Sequence, residues 1–354
     1  MIDFLEVLKQ KRNLVWPEIK NYLDRFIDFP EFCQIPLRYK NMVDFHRKIV
    51  AEYPERKGKY IRPALVLLTA SAMGFPEKKA IKTATAMQVS EDWILNHDDI
   101  EDDSLVRRGK PALHRVYGKE LAINAGDGLH VIMWRILRDN EKLVGIEKTL
   151  KIIDEFLVML DRTVLGQTVE LKWIQENETN LNNEDILFIL ESKTVYYTIA
   201  GPMRLGAILA GANKEEMDKL YQFGRYLGYC FQIQDDLLDL TSDFGGLKKQ
   251  QGNDIYEGKR TIMLLHLFRN AKSKDKKKLL EIIGKSREEK NEKEVHWVIG
   301  LMEKYGSFDY SRRMIARFAK KAEKFFDSEL VFLEKQPARN QIRTFITFLK
   351  EGQY

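Results

Sequence analysis

Cysteine is scarce in this chain, with two among 354 residues, and Cys33 and Cys230 show neither metal-ligand spacing nor a disulfide framework. Cys230 is expected as a small buried hydrophobe. No apolar run is long enough to span a bilayer, so stable membrane insertion is not expected. The opening MIDFLEVLKQKRN is amphipathic and charged and lacks the basic stub and apolar core of a secretory signal, so a soluble, cytoplasmic protein is expected. Nothing reads as a linker: no Ser/Gly tract, no Pro-rich run, no repeat. Although the length allows two domains, one domain over residues 1–354 is the better expectation. Strand signals are nearly absent, since apolar residues recur at three and four, which makes the fold class all-α. Nor does either sign of charge dominate, with 58 Lys and Arg against 53 Asp and Glu. Many of the acids are concentrated in two short stretches, so the remaining surface is basic and suits anionic substrates; no nucleic-acid motif accompanies it.

What is present is concentrated in Ala84 to His114, ATAMQVSEDWILNHDDIEDDSLVRRGKPALH. An apolar helical run ends there in Asp98, Asp99, Asp102 and Asp103, followed by Arg107 and Arg108. In one helix Asp98 and Asp102 lie a turn apart on one face, where their like charges repel. Such a face is stable when solvated or neutralised by a cation. Two monodentate carboxylates over open space suit Mg²⁺, which keeps waters and takes phosphate oxygens as further ligands. A lone D-D-x-x-D is better read as wet acidic surface. The chain carries a second one, however: Gly224, Gly228, Gln232, Asp236 and Asp239 share a helical stripe with Asp235 at its edge. Two such helices facing each other across a bundle would hold divalent ions between them, and the glycines above the acids would leave room for a substrate.

Other stretches carry weaker local signals. Lys57, Lys59 and Arg62 precede a helix starting near Pro63, which reads equally as an anion site or as a solvated basic loop. Gln167 and Glu170 are one turn apart, on a pocket wall or on polar surface. Lys193 and Thr194 come before Pro202, which should break or kink the helix and free a carbonyl nearby. Asp127, between Gly126 and Gly128, is expected to satisfy a buried group. Residues 1–50 read as helices interrupted near Pro17, Pro30 and Pro36, with a packing role and a candidate subunit contact.

These pieces together resemble the trans-isoprenyl diphosphate synthases of the polyprenyl synthetase family. The matching motifs, in the family's order over roughly residues 55–265, are G-K-Y-I-R-P at Gly58–Pro63, D-D-I-E-D with R-R-G, and G-Q-T-V-E-L at Gly166–Leu171. K-T at Lys193–Thr194, F-Q-I-Q-D-D-L-L-D at Phe231–Asp239 and K-Q-Q-G-N-D at Lys249–Asp254 complete the series. The resemblance implies an isoprenoid synthase helical bundle with a central pocket between two aspartate-rich helices, a homodimer, and Mg²⁺ held by Asp98, Asp102, Asp235 and Asp239. It assigns isopentenyl diphosphate to Lys59, Arg62 and Arg108, and the allylic diphosphate to Arg107, Lys193, Lys249 and Lys259.

On this reading the allylic diphosphate ionises, the Thr194 hydroxyl and Gln232 amide dipoles face the cation beside Lys193, and the departing diphosphate takes the final proton. Trp93 and Ile94 occupy the positions where the family closes its product tunnel, and an aromatic at the earlier one alone resembles the archaeal-type geranylgeranyl synthases. A product of fifteen or twenty carbons is expected. Glu91 departs from the family, which carries Gln or His near isopentenyl diphosphate; a carboxylate there should pair with Arg108 or Lys59 rather than touch substrate. Two rivals are a class I terpene cyclase, against which the second diphosphate site argues, and a non-catalytic regulatory subunit of a prenyl synthase, against which both acidic motifs argue.

Overall fold

The computed structural model describes residues 3–241 and 251–352. Helix follows helix: α1 (Phe4–Arg25), α2 (Lys40–Arg56), α3 (Ile61–Ala72), α4 (Glu77–Glu101), α5 (Leu113–Tyr117), α6 (Lys119–Asp139), α7 (Glu141–Val144), α8 (Ile146–Gln175) and α9 (Asn183–Ile189). A π-helix, Leu190–Ala200, leads into α10 (Gly201–Ala210) and α11 (Lys214–Thr241). Then come α12 (Asn253–Glu257), α13 (Ile262–Asn270), α14 (Ser273–Ile283), α15 (Glu292–Lys304), α16 (Ser307–Glu329) and α17 (Ala338–Glu351). Among the described residues the strands are two, β1 (Val106–Arg107) and β2 (Lys110–Pro111), paired antiparallel with Val106 opposite Pro111. The all-α expectation holds.

The described residues cluster into two compact units, one of Asp3–Asp154 with Leu205–Gly211, the other of Glu155–Arg204 with Ala212–Tyr354. In the first, α4 is the axis, contacted by α1, α3 and α6. It starts after Pro76, carries Glu77 in its first turn where the helix dipole favours an acid, and buries residues on most of its circumference, as a helix with neighbours on several sides must. Small residues allow this crowding: Ala80, Ala84 and Ala86 have no exposure. Pro30 and Pro36 interrupt the chain as expected, but Pro17 does not. It lies inside α1, where buried Val15, Ile19, Tyr22 and Leu23 outweigh the missing hydrogen bond.

In the second unit α11 is the axis, packed against the π-helix, α16 and α17. Pro202 produces no break, because it falls at the second residue of α10; the strain is taken up ahead of it, where the helix widens into π form and Gly201 N–H reaches back to the carbonyl of Tyr196. The glycines of α11 correct another expectation. A Cβ on Gly224 would lie 2.5 Å from the Cβ and 2.6 Å from the Cα of Ala200, and one on Gly228 would lie 2.9 Å from the Cα of Val195. They serve close backbone contact with the π-helix and leave no room for a substrate there. Gly224→Ala should therefore cost about 1–3 kcal/mol by overpacking, read as a lower urea midpoint with an unchanged slope.

Candidate active site

The basic loop of the first unit is built on unusual backbone. Lys57 and Tyr60 flank Gly58 and Lys59 with φ of 49° and 63°, and the chain then enters α3 with Arg62 in its first turn. A Cβ on Gly58 would come within 2.9 Å of the Arg108 guanidinium, so a side chain here would push the guanidinium from its place over this loop. Arg108 comes from the turn between β1 and β2. It and Gly109 are the two turn residues, with φ of 52° and 76°, the left-handed pair that a two-residue hairpin demands. Arg56 laces that hairpin shut from α2, donating to the carbonyls of Arg107 (3.1 Å) and Pro111 (2.9 Å).

The hairpin's arginines reach different turns of α4. Arg107 donates through Nε to Asp99 (2.9 Å), whose other oxygen accepts from the Tyr53 hydroxyl, and it lies 3.4 Å from Asp98. Arg108 binds Asp92 at 2.7 Å and the Tyr53 carbonyl at 2.9 Å. Glu91 lies between two cations, 3.2 Å from Arg62 and 3.6 Å from Arg108. The pairing of Glu91 with Arg108 is as expected; Arg62 is its nearer partner. Burial raises Asp92 to about 6 even though the Arg108 guanidinium pulls it down. The same burial works against the charged form of Arg108, which Asp92 and Glu91 nevertheless hold up.

Asp98 and Asp102 close α4 one turn apart, with Asp102 as its C-cap and its N–H on the Asp98 carbonyl at 2.8 Å. Both are only partly buried, whereas Asp99 has no exposure. Asp103 turns away to Arg115 at 2.6 Å. Trp93 stacks on His130 of α6, with ring centroids 4.0 Å apart, and His130 accepts from the Trp134 indole at 2.8 Å. Ile94 is half-buried beside it. Asp127 corrects the sequence reading: its side chain is 61% exposed and faces His97 at 3.7 Å, so it satisfies nothing buried.

In the second unit Lys193, on the π-helix, pairs with Glu170 of α8 at 2.6 Å, and Glu170 is buried rather than on polar surface. A Cβ on Gly166 would strike the Lys193 backbone nitrogen at 2.9 Å, so this glycine lets α8 approach that turn. Thr194 follows, half-buried, as is Gln167 on α8. On α11 the Gln232 amide donates to Asp236 at 2.7 Å, and Lys259 lies 3.5 Å from both Asp236 and Asp254. Burial raises Asp236 to about 7 against the pull of Lys259. Asp239 accepts from Asp254 N–H at 3.0 Å and thereby anchors the start of α12. Asp235 is more open than either. Lys249 lies outside the described residues.

Sequence reading missed Asp92, Tyr53, Asp236 as a partner of Lys259, and Asp254. Asp92 could have been found as a second acid inside an apolar helical run beside Glu91. Tyr53 carries no signal, since its partners are remote in sequence. The open carboxylates Asp98, Asp102 and Asp235 are a donor set of the kind a hard divalent cation takes. Among the described residues no group of three or more His, Cys, Asp or Glu converges on a point, so an ion held here needs ligands from elsewhere, and open carboxylates completed by water and phosphate oxygens are what a small hard cation takes.

The sequence model of the polyprenyl synthetase family matches residues 44–302. The chain is 32% identical over 297 residues to the short chain isoprenyl diphosphate synthase of Methanothermobacter thermautotrophicus, covering 84% of this chain and 87% of that one. It is 31% identical to the geranylfarnesyl diphosphate synthase of Natronomonas pharaonis, covering 84% and 87%. Its structure resembles the crystal structure of geranylgeranyl pyrophosphate synthetase from Pyrococcus horikoshii with a TM-score of 0.82 and 30% identity, covering 98% of each chain.

Asp92 supplies a pH test of this geometry. Burial holds its folded pKa at about 6, above the ordinary aspartate value of 3.8, so its contribution to stability is complete below about 3.8 and lost as pH rises through about 6. Asp92→Asn removes that dependence. Relative to the wild type, the variant's urea midpoint should rise between pH 4 and pH 7; a constant difference would show that Asp92 does not titrate there.

Proposed function

The chain belongs to the polyprenyl synthetase family, and from that premise we propose that it condenses isopentenyl diphosphate with an allylic diphosphate, using Mg²⁺, to form an all-trans isoprenyl diphosphate of fifteen or twenty carbons. It is a transferase of the short-chain prenyl type. The observation that carries the two-substrate reading is the arginine group of the first unit, in which Arg62 and Arg108 converge on Glu91 within 3.6 Å. Planar guanidinium forks suit a diphosphate, and a cyclase that consumes one allylic substrate has no use for a second such site.

In this reading Lys59, Arg62 and Arg108 hold isopentenyl diphosphate while Glu91 and Asp92 position the two arginines. Arg107, Lys193, Lys249 and Lys259 take the allylic diphosphate. Asp98, Asp102 and Asp235, with Asp239 in support, would hold Mg²⁺, which when bound would supply positive charge opposite the leaving diphosphate. The bond from Gln232 to Asp236 fixes the amide so that its carbonyl, with the Thr194 hydroxyl, offers a preorganised negative end to the allylic cation. Orientation of the two diphosphates by their separate arginines turns a bimolecular encounter into an intramolecular one. A homodimer is supported by the apolar side of α8, where Leu150, Leu157 and Val164 are about half exposed, and by Phe32 and Leu37, which are 90% exposed near the N-terminus.

Asp98→Ala and Asp235→Ala should each abolish product formation from isopentenyl diphosphate and every allylic starter, followed by mass spectrometry, without unfolding the chain, because each removes one of several crowded like charges. Near-normal Mg²⁺-dependent turnover in either would remove the shared role of the two motifs. The stack of Trp93 on His130 supports a rigid floor for the product. Trp93→Ala should lengthen the product, since added units are apolar and each buried methylene gains about 0.8 kcal/mol. Chromatography of the dephosphorylated products decides it, and an unchanged length distribution means that the floor lies elsewhere.

A further inference from the structure

A second concave surface lies wholly within the second unit, between α9, α11 and α16, with a volume of about 910 Å³. Its charge is lopsided. Arg313, Arg317 and Lys321 of α16 line it at successive turns of one helix face, and Arg162 of α8 and Arg225 of α11 line it from other sides. The acids that line it are Glu184 and Glu191. Among the described residues the ion pairs take up Arg225, 3.0 Å from Glu191, and leave Arg162, Arg313, Arg317 and Lys321 without a carboxylate. Like charges four residues apart destabilise a helix, so the ladder is a cost that the fold itself does not need.

A solvated basic face would be flat or convex, with aliphatic stems lying on it. This one is a groove with an aromatic lining. Phe318 and Tyr229 are buried in its floor beside Leu187 and Met314. Lys321 lies over the Tyr226 ring at 5.4 Å and Arg162 over Phe188 at 5.4 Å, contacts that hold the cations toward the groove. The volume is that of a small-molecule site, with an aromatic and apolar floor and walls that carry converging charges. Four cations over an apolar floor fit an ester of a polyphosphate whose organic part lies on Phe318 and Met314. We propose that this groove binds a small organic polyphosphate, separately from the diphosphate sites described above.

The groove is coupled by the chain itself to Lys193. Glu191, which accepts from the Tyr221 and Tyr229 hydroxyls and from Arg225, is on the π-helix two positions before Lys193. Residues two apart on such a wide helix face nearly opposite ways, which sends Glu191 to the groove and Lys193 to Glu170.

Isothermal titration of the full chain with ATP tests the proposal, with inorganic tripolyphosphate as the anion alone, both in EDTA to silence metal-bridged binding. ATP should bind saturably and more tightly than tripolyphosphate. Arg317→Glu should weaken ATP at least about tenfold, by about 1.4 kcal/mol, while Lys59→Ala leaves it unchanged. Arg317→Glu should also keep or raise the urea midpoint, since it sets an acid one turn from Arg313 and from Lys321. No saturable binding by ATP, an affinity unchanged in Arg317→Glu, loss of binding in Lys59→Ala, or tripolyphosphate binding as tightly as ATP would each overturn it.

Discussion

Two aspartates on α4, seven positions apart, decide where two consecutive arginines can go. Asp92 and Asp99 fall on one face two turns apart, about 10 Å along the axis, and Arg108 and Arg107 reach them in that order. Consecutive residues in a strand point to opposite sides, so adjacent arginines could not both turn to one helix from extended backbone. The left-handed turn at Arg108 and Gly109 redirects the second side chain. Everything else in this corner follows from that. Gly58 is small because Arg108 passes over it, Tyr53 supplies a hydroxyl to Asp99 and a carbonyl to Arg108, and Arg56 closes the hairpin behind them. Burying a guanidinium is tolerable only with its counter-charge in place, and α4 carries that counter-charge before any ligand arrives.

The second unit solves the same problem with the sign reversed. Its buried carboxylate, Asp236, is accompanied by the Lys259 ammonium and the Gln232 amide, and the same helix meets the π-helix backbone closely at Gly224 and Gly228. Helices that touch at the backbone leave no slack for side chains to rotate. The widened turn of the π-helix is then the economical way to reach Pro202 in register while keeping Lys193 on the side of Glu170 and Glu191 on the side of Arg225.

Legibility in the sequence followed the range of the interaction. The helical class was readable from apolar periodicity, and Asp98 with Asp102 from spacing, because both are facts about neighbours along one helix. Glu91 was readable as an anomaly: a carboxylate among cations demands a partner, and Arg108 is one. Tyr53 was not, because what matters is its meeting with Asp99, 46 positions away, and nothing in either local stretch announces it. Gly224 and Gly228 were misread for the same reason. A glycine signals close approach, but whether of a ligand or of Ala200 and Val195 depends on a partner helix. Pro17 failed in the opposite sense, since a local rule was overridden by the burial of α1's apolar face. The basic ladder of α16 looks in sequence like any solvated helix, and its concavity comes from α9 and α11.

The pairing distances also separate fixed counter-charges from exchangeable ones. Asp92 holds Arg108 at 2.7 Å with no exposure, whereas Glu91 approaches Arg62 and Arg108 at 3.2 and 3.6 Å and retains some contact with solvent. Charge-assisted hydrogen bonds are strongest at about 2.7–2.9 Å, so Glu91 is a weaker partner of Arg108 than Asp92 is. In the proposed reaction a diphosphate brings more charge and more acceptor oxygens than a single carboxylate. It can displace Glu91 from both arginines while Asp92 keeps Arg108 aimed. Family members with a neutral residue at this position have no such competitor. A carboxylate here adds counter-charge to Arg62 and Arg108 in the empty site, and in the proposed reaction it lowers the net gain on binding by the same interaction. On the proposed reading Glu91 trades stability of the free protein against affinity for isopentenyl diphosphate, without touching the reacting carbons.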